Sequence, residues 1–249
     1  MRGYRDLAAE LRRLIDEGHY QPGSTLPQIS DLMEQYGLAK QTVRSALTEL
    51  ANEGYVLIRR KYGTLVRDRR SLRLPLSRYG AVLTPGGGKG PWETACAAQG
   101  LDGRMHLVSV TTEEAPDDIA EILGIAPGDS VVHRRRNALI GDEVIQSQHA
   151  WYPKSLADQA GLSGASKIEG GVFGAMTEAG FPPLSADEHV NAGTPKSDEA
   201  KELNIGIGVP VIRVQRITRT IEERVIEVLR VSAPSDRVEL VYDRLPISQ

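Results

Sequence analysis

The stretch Lys40-Gln41-Thr42-Val43-Arg44-Ser45 sets two cations, an amide and two hydroxyls beside apolar residues spaced for a helix. With Val43, Ala46, Leu47 and Leu50 turned inward, Lys40, Gln41, Thr42, Arg44, Ser45 and Thr48 share the outer face, and no carboxylate interrupts it before Glu49. Arg and Lys match guanine acceptors, Gln can read adenine, and Ser or Thr serves a base edge or a phosphate. A solvated helix surface would look the same in isolation, so the next segment decides. Arg59-Arg60-Lys61-Tyr62-Gly63 is the expected tip of a hairpin between Tyr55–Ile58 and Thr64–Val66. Residues 58–73 hold seven basic side chains against one acid, Asp68, a concentration that duplex phosphates would explain.

Other chemistries find little support. Cys96 is the single cysteine, which excludes an intrachain disulfide and any CxxC site. His133, His149 and His189 are spaced sixteen and forty residues apart, matching no helical or hairpin metal site. In Thr84–Pro91 a phosphate loop would need Gly where Leu83 stands and a hydroxyl where Gly90 stands. No nucleophile, base and orienting group can be assembled, so neither catalytic residues, metal nor cofactor is expected.

The elements that must position these residues follow from periodicity. Leu7, Leu11, Leu14 and Ile15 mark a first helix over Tyr4–Glu17, closed by Gly18. Ile29, Leu32, Met33 and Tyr36 mark a short second one ending at Gly37, and the third begins near Ala39 and ends at Gly54. Two helices across a Gly-containing turn make a helix-turn-helix, and the basic hairpin after them is a wing.

The average charge hides this organisation. The 249 residues carry a net −3, yet residues 1–74 hold 13 basic and 9 acidic side chains while 75–249 hold 17 and 24. Such asymmetry suits a nucleic-acid-binding segment joined to an acidic partner domain. The length suggests one or two domains, and two is the better fit. Charged residues crowd the first twenty positions, unlike a signal peptide, and no apolar run approaches the ~18 residues that cross a bilayer. A cytoplasmic protein without membrane contact is expected.

Leu26-Pro27, Leu38 to Leu47, Glu53-Gly54-Tyr55-Val56 and Gly63-Thr64-Leu65-Val66 resemble the winged helix-turn-helix of GntR-type bacterial transcription regulators. The resemblance covers residues 4–67. It implies that Lys40 and Arg44 meet DNA and that Gly63 lets the wing approach the minor groove. Ser30 stands where the family commonly has Arg, and Ala39-Lys40 where it has Ser-Arg. The DNA-contact candidates are Ser30, Lys40, Gln41, Thr42, Arg44, Ser45, Arg59, Arg60, Lys61, Tyr62, Gly63 and Thr64.

Further on, Leu123-x-Ile125-x-x-Gly128-x-x-Val131-Val132-x-x-x-Arg136 returns as Leu203-x-Ile205-x-x-Gly208-x-x-Val211-Ile212-x-x-x-Arg216. Each copy predicts a short helix, a turn and two strands. Strands near 131–139, 143–151, 211–220 and 224–232 then form hairpins of one antiparallel sheet with two related halves, and ligand sites often lie at such junctions. This half is similar to the UTRA domain of the HutC subgroup, with its chorismate lyase-like fold, through Ala115 to Gly128, Val131 to Arg136, Trp151-Tyr152-Pro153, Pro195 to Arg216 and Ser235-Asp236-Arg237. Residues 79–114 look more like actinomycete members, some of which control plasmid transfer.

The resemblance implies an α+β chain: a winged helix-turn-helix over 1–70, a linker over 71–78, and a UTRA effector-binding and dimerisation domain over 79–249. It implies an anionic effector held by Arg136. Ala138 stands where a second Arg is frequent, Gln148 replaces the usual Glu, Gly171 the usual Ser and Ala233 a common Tyr. Arg216 and Arg230 are further candidates, with sheet-edge cations paired to acids as the alternative reading. Trp92 and Trp151 read as packing residues, and Trp151 is also kept in the effector set. The function implied is a homodimeric repressor on an inverted-repeat operator, released by a small acidic effector. The alternatives are an effector-independent repressor of plasmid transfer or maintenance genes and a small-molecule enzyme with a DNA-binding appendage.

Overall fold

The computed structural model describes residues 3–59, 62–75, 90–166, 168 and 170–243. The chain divides into one unit of Met1–Ser71 with Gly193–Pro210 and a second of Leu72–Ala192 with Val211–Gln249.

In the first unit the helices form where the apolar spacing places them: α1 over Tyr4–Asp16, α2 over Ile29–Tyr36 and α3 over Lys40–Asn52. Leu7, Leu11, Leu32, Val43, Ala46, Leu47 and Leu50 meet in one core with Val56 and Val66. Burying each of the larger ones contributes about 1.5–3 kcal/mol. The backbone N–H of Gln28 donates to Asp31 at the start of α2, and Gly37 closes that helix in the left-handed conformation. The hairpin β1 (Val56–Arg59) and β2 (Gly63–Val66) pairs antiparallel directly after α3. A short helix, α8 (Ser197–Glu202), belongs to this unit as well. Beyond it Gly206 approaches α3 so closely that a Cβ there would lie 2.4 Å from the Ala51 carbonyl oxygen.

The second unit is built on six antiparallel strands. They are β4 (Gly103–Glu114), β5 (Ser130–Ile140), β6 (Glu143–Pro153), β7 (Ser185–Gly193), β8 (Val211–Arg219) and β9 (Val225–Pro234). Their order is β4-β5-β6-β9-β8-β7, so two three-stranded halves meet at the β6/β9 pair, as the sequence repeat requires. One departure concerns the expected linker. Leu72–Pro75 is a strand, β3, pairing in parallel with β10 (Val238–Val241), because Leu72 and Leu74 alternate with Arg73 and bury against Val238. Residues 76–78, and most of the expected loop at 84–91, lie outside the described residues.

Among the described residues four helices flank the sheet: α4 (Pro91–Ala97), α5 (Asp117–Leu123), α6 (Lys154–Gln159) and α7 (Gly171–Glu178). Trp92 and Cys96 bring α4 against the start of β4, and Trp92 Nε1 donates to the Leu139 carbonyl at 3.2 Å. Burial pushes the Cys96 thiol up to about 11. At Gly103 a Cβ would lie 2.3 Å from Cys96 Sγ and 3.1 Å from Trp92 Nε1. Gly103→Ala is therefore expected to overpack this junction and cost about 1–3 kcal/mol, read as a lower urea midpoint at unchanged m-value.

Candidate functional site

The α3 face is built as its sequence implies. Lys40, Gln41, Arg44 and Thr48 are exposed and Thr42 and Ser45 half-buried. The first turn of α3 has no acid and its cap residue, Ala39, supplies no side-chain hydrogen bond. Its N-terminal amides and positive dipole end therefore suit an anion such as a phosphate. Ser30 is exposed on α2 and donates to Asp31 at 2.9 Å.

The wing presents Tyr62, 70% exposed, with exposed Gly63 and half-buried Arg59. Arg60 and Lys61 lie outside the described residues. Thr64 departs from its expected role: it is only 8% exposed, because its position in β2 turns it toward the interior. The basic residues beyond the wing also prove to be partly structural. Arg67 is buried and donates to the Gly54 carbonyl at 3.1 Å, Arg69 lies 4.5 Å over the Tyr55 ring, Arg70 pairs with Asp68 at 2.7 Å and Arg73 with Glu239 at 3.3 Å. Lys40, Arg44 and Arg59, by contrast, have no side-chain hydrogen bond or ion pair to any described residue.

In the second unit a cavity of about 770 Å³ opens on one face of the sheet. Arg134 and Arg136 of β5, Gln146 and Gln148 of β6, Arg216 of β8 and Glu227 of β9 line it, with Trp92 and Glu93 of α4 and Phe173 of α7. Arg136, Gln148 and Arg216 thus come together as expected. Gly171, standing for the family's Ser, opens α7 at the rim. Ala138 and Ala233 are buried in the apolar cluster beneath α4.

Trp151 and Arg230 do not join them. Strand residues alternate between faces, and Trp151 is three positions from Gln148 while Arg230 adjoins the pocket residue Leu229, so both point to the opposite face. There Trp151 is buried and stacks on His133 at 4.5 Å, and Arg230 reaches Gln215 at 2.9 Å and Asp118 at 2.5 Å. His133 Nε2 lies 3.1 Å from His149 Nδ1, and His133 Nδ1 lies 3.0 Å from Glu113. Burial holds the His133 imidazolium below its ordinary value, against the upward pull of Glu113. Among the described residues no group of three or more His, Cys, Asp or Glu could hold a metal ion.

Sequence reasoning missed Arg134, Gln146 and Glu227. The signals were present: Arg134 has the parity of Arg136, and Gln146 and Glu227 each follow the matched Ile145 and Ile226 of the repeat. Glu227 is the best-connected group of the pocket. It accepts from Arg216 at 2.7 Å, from the Tyr152 hydroxyl at 2.8 Å and from Thr218 at 3.1 Å. Burial alone would raise its carboxyl, but Arg216, Arg136 and the Tyr152 hydroxyl together hold it below its ordinary range. The Tyr152 phenol is pushed far up by burial and by Glu227.

A winged helix-turn-helix whose exposed α3 face carries cations unpaired among the described residues, in a chain that also holds a pocketed sheet, points to the class of DNA-binding regulators that carry a ligand-binding domain. Comparison with known proteins narrows the class. Residues 3–66 match the gntR family of bacterial regulatory proteins and residues 98–239 match the UTRA domain. The chain belongs to the GntR family, in the subgroup whose second domain is UTRA, and it is a transcription regulator.

An HTH-type transcriptional regulator of Streptomyces coelicolor is 29% identical over 230 residues, 90% of this chain and 86% of the relative. The HTH-type transcriptional repressor NagR of Bacillus subtilis is 24% identical over 216 residues, covering 86% and 83%. PhnF from Mycobacterium smegmatis shares the fold with a TM-score of 0.62 at 24% identity, over 97% of this chain and 99% of that one. No helix among the described residues is long and apolar enough to cross a membrane.

Removing one partner from the buried pair leaves an uncompensated charge, so Glu227→Ala is expected to cost about 3–5 kcal/mol. Replacing both partners, Arg216→Met with Glu227→Leu, should cost less. Because the folded carboxyl titrates below its ordinary value of 4.5, its contribution is complete above that pH and is lost as pH falls through the folded value. Glu227→Gln should therefore flatten the acid limb of stability against pH in urea titrations. An unchanged limb would show that Glu227 does not carry the acid dependence.

Proposed function

We propose that this chain is a homodimeric repressor that binds an inverted-repeat operator and is released from it by a small acidic effector in the second unit. One observation carries the DNA-binding assignment. Lys40, Arg44 and Arg59 make no side-chain hydrogen bond or ion pair to any described residue, while neighbouring arginines of the same unit are tied to carboxylates, carbonyls or rings. On this reading Arg44 and Gln41 read bases, while Ser30, Lys40, Thr42 and Ser45 position the helix on the backbone. The wing, with Arg59, Tyr62 and Gly63, follows the adjoining groove. The cavity beside Arg136 favours a liganded repressor over one that works without an effector. The chain is read as a regulator without enzymatic activity, acting in the cytoplasm beside its DNA.

Arg44→Ala is expected to lose about 1–3 kcal/mol of discrimination for its own site while keeping weak binding to any duplex. Arg59→Ala should weaken all duplexes about equally and reduce the salt slope. Fluorescence anisotropy on operator and scrambled duplexes at several salt concentrations measures both, and equal loss of specificity in the two variants would refute the division of labour.

Dimerisation is assigned to the second unit, whose sheet ends in the edge strands β4 and β7 with exposed Val108 and Val190 on them. Two-fold symmetry then sets the recognition helices about 34–36 Å apart on the duplex. Sedimentation should show the full chain as a dimer and residues 1–74 as a monomer, and a dimeric 1–74 would place the interface elsewhere.

A further inference from the structure

The two halves of the sheet present the same pocket positions with different chemistry. Arg136 corresponds to Arg216 in the repeat, and Gln146 to Glu227. The registers agree. Arg136 pairs with Gln148 and Ala138 with Gln146, just as Arg216 pairs with Leu229 and Thr218 with Glu227. Each arginine therefore faces its diagonal partner across a hairpin on the pocket side.

In the second half that partner is a carboxylate, and the seat is filled from within by the ion pair at 2.7 Å. In the first half it is a neutral amide, whose Oε1 accepts from Gln148 at 3.0 Å. Arg136 forms no ion pair with a described carboxylate, and its Nε is buried without a hydrogen-bond partner among the described residues. Arg134 beside it is held by the carbonyls of Leu162 at 2.5 Å and Gly164 at 2.7 Å. A half-buried guanidinium facing an amide where its twin faces a carboxylate is suited to seat an anion.

Two further features limit the occupant. Glu93 and Glu188 also line the cavity, so a second negative charge on the ligand would meet carboxylates. Beyond the polar strip the walls are apolar, with Met105, Leu107, Phe173, Val214, Leu229 and Val231, and Ser166 is the one hydroxyl side chain among the described lining residues. Phe173 is itself braced by Arg216, whose guanidinium lies 5.0 Å over the ring. A polyol would leave its hydroxyls unpaired against such walls, whereas an apolar chain or ring would be buried favourably.

We propose that the effector is an amphiphilic organic monoacid, its single carboxylate seated on Arg136 and its apolar body laid against Phe173 and the aliphatic wall. This rests on the reading of the second unit as the effector-binding part. It is narrower than the anionic effector that the family resemblance alone implies. It also singles out Gln146 as a specificity residue, since its neutrality keeps the seat open.

Full-length protein, titrated with sodium octanoate, octanol and glucose 6-phosphate, tests the proposal by thermal shift and isothermal calorimetry. Octanoate should raise Tm and bind, while octanol and glucose 6-phosphate should bind about tenfold more weakly or not at all. Gln146→Glu should supply the missing carboxylate, pair with Arg136 as Glu227 pairs with Arg216, and weaken octanoate about tenfold or more without lowering the unliganded Tm. Arg136→Gln should weaken it similarly if Gln146→Glu fails to fold.

Preference for glucose 6-phosphate, or octanoate binding undiminished in both variants, would overturn the proposal. So would the absence of any shift with all three probes while operator binding persists, and that outcome would leave the regulator reading intact. Loss of sequence-specific DNA binding by the unliganded wild type would instead refute the regulator reading itself, whatever the probes do.

Discussion

A single buried carboxylate organises the second unit. Glu227 draws in Arg216 and Thr218 from its own half of the sheet and the Tyr152 hydroxyl from the other, so it joins the two halves at their junction. Its burial is tolerable only because every contact donates to it. Tyr152 in turn lies in the apolar cluster with Leu156, Leu162 and Met176, and Arg216 braces Phe173 of α7. The pocket wall, the helices that cover it and the sheet junction thus share one electrostatic anchor. The corresponding position in the other half is Gln146, and that one difference turns an approximate symmetry into a polarised cavity.

The first unit shows the same sorting of charge. Its described basic residues include some whose guanidinium groups complete the fold and others left facing solvent. Arg12 lies against Glu53, joining α1 to the end of α3, and Arg67 caps the Gly54 carbonyl behind the wing. Lys40 and Arg44 stand on the opposite side of α3 from its core residues, with no carboxylate in the first turn to neutralise them. A composition count treats these cations alike, and only the packing separates those that support the fold from those left facing solvent.

Much of this was legible in the sequence, for physical reasons that also explain the failures. The three helices and the wing were readable because each buries one apolar stripe, so periodicity and glycine stops suffice. The sheet was readable because its two halves repeat. The pocket was harder because residues 133–137 are polar throughout, and strand alternation leaves no apolar face to orient them. Parity relative to Arg136 would have removed Trp151 and Arg230 and added Arg134. The strand at Leu72–Pro75 was hidden because four residues with two leucines look like a linker until Val238–Val241 lies beside them. Gly206, where the first repeat has Ala126, is a similar case: the missing Cβ has a reason only once α3 is packed against it.

On the function proposed, the exposed face of α3 reads one duplex sequence, twice, in two-fold symmetry. Sequencing the genomic DNA fragments retained by the purified full-length protein tests it most directly. Enrichment of one inverted repeat whose half-site centres lie about 10–10.5 base pairs apart, or a multiple of that, is the expected result. Recovery of fragments in proportion to the input, with no sequence enriched, would contradict it.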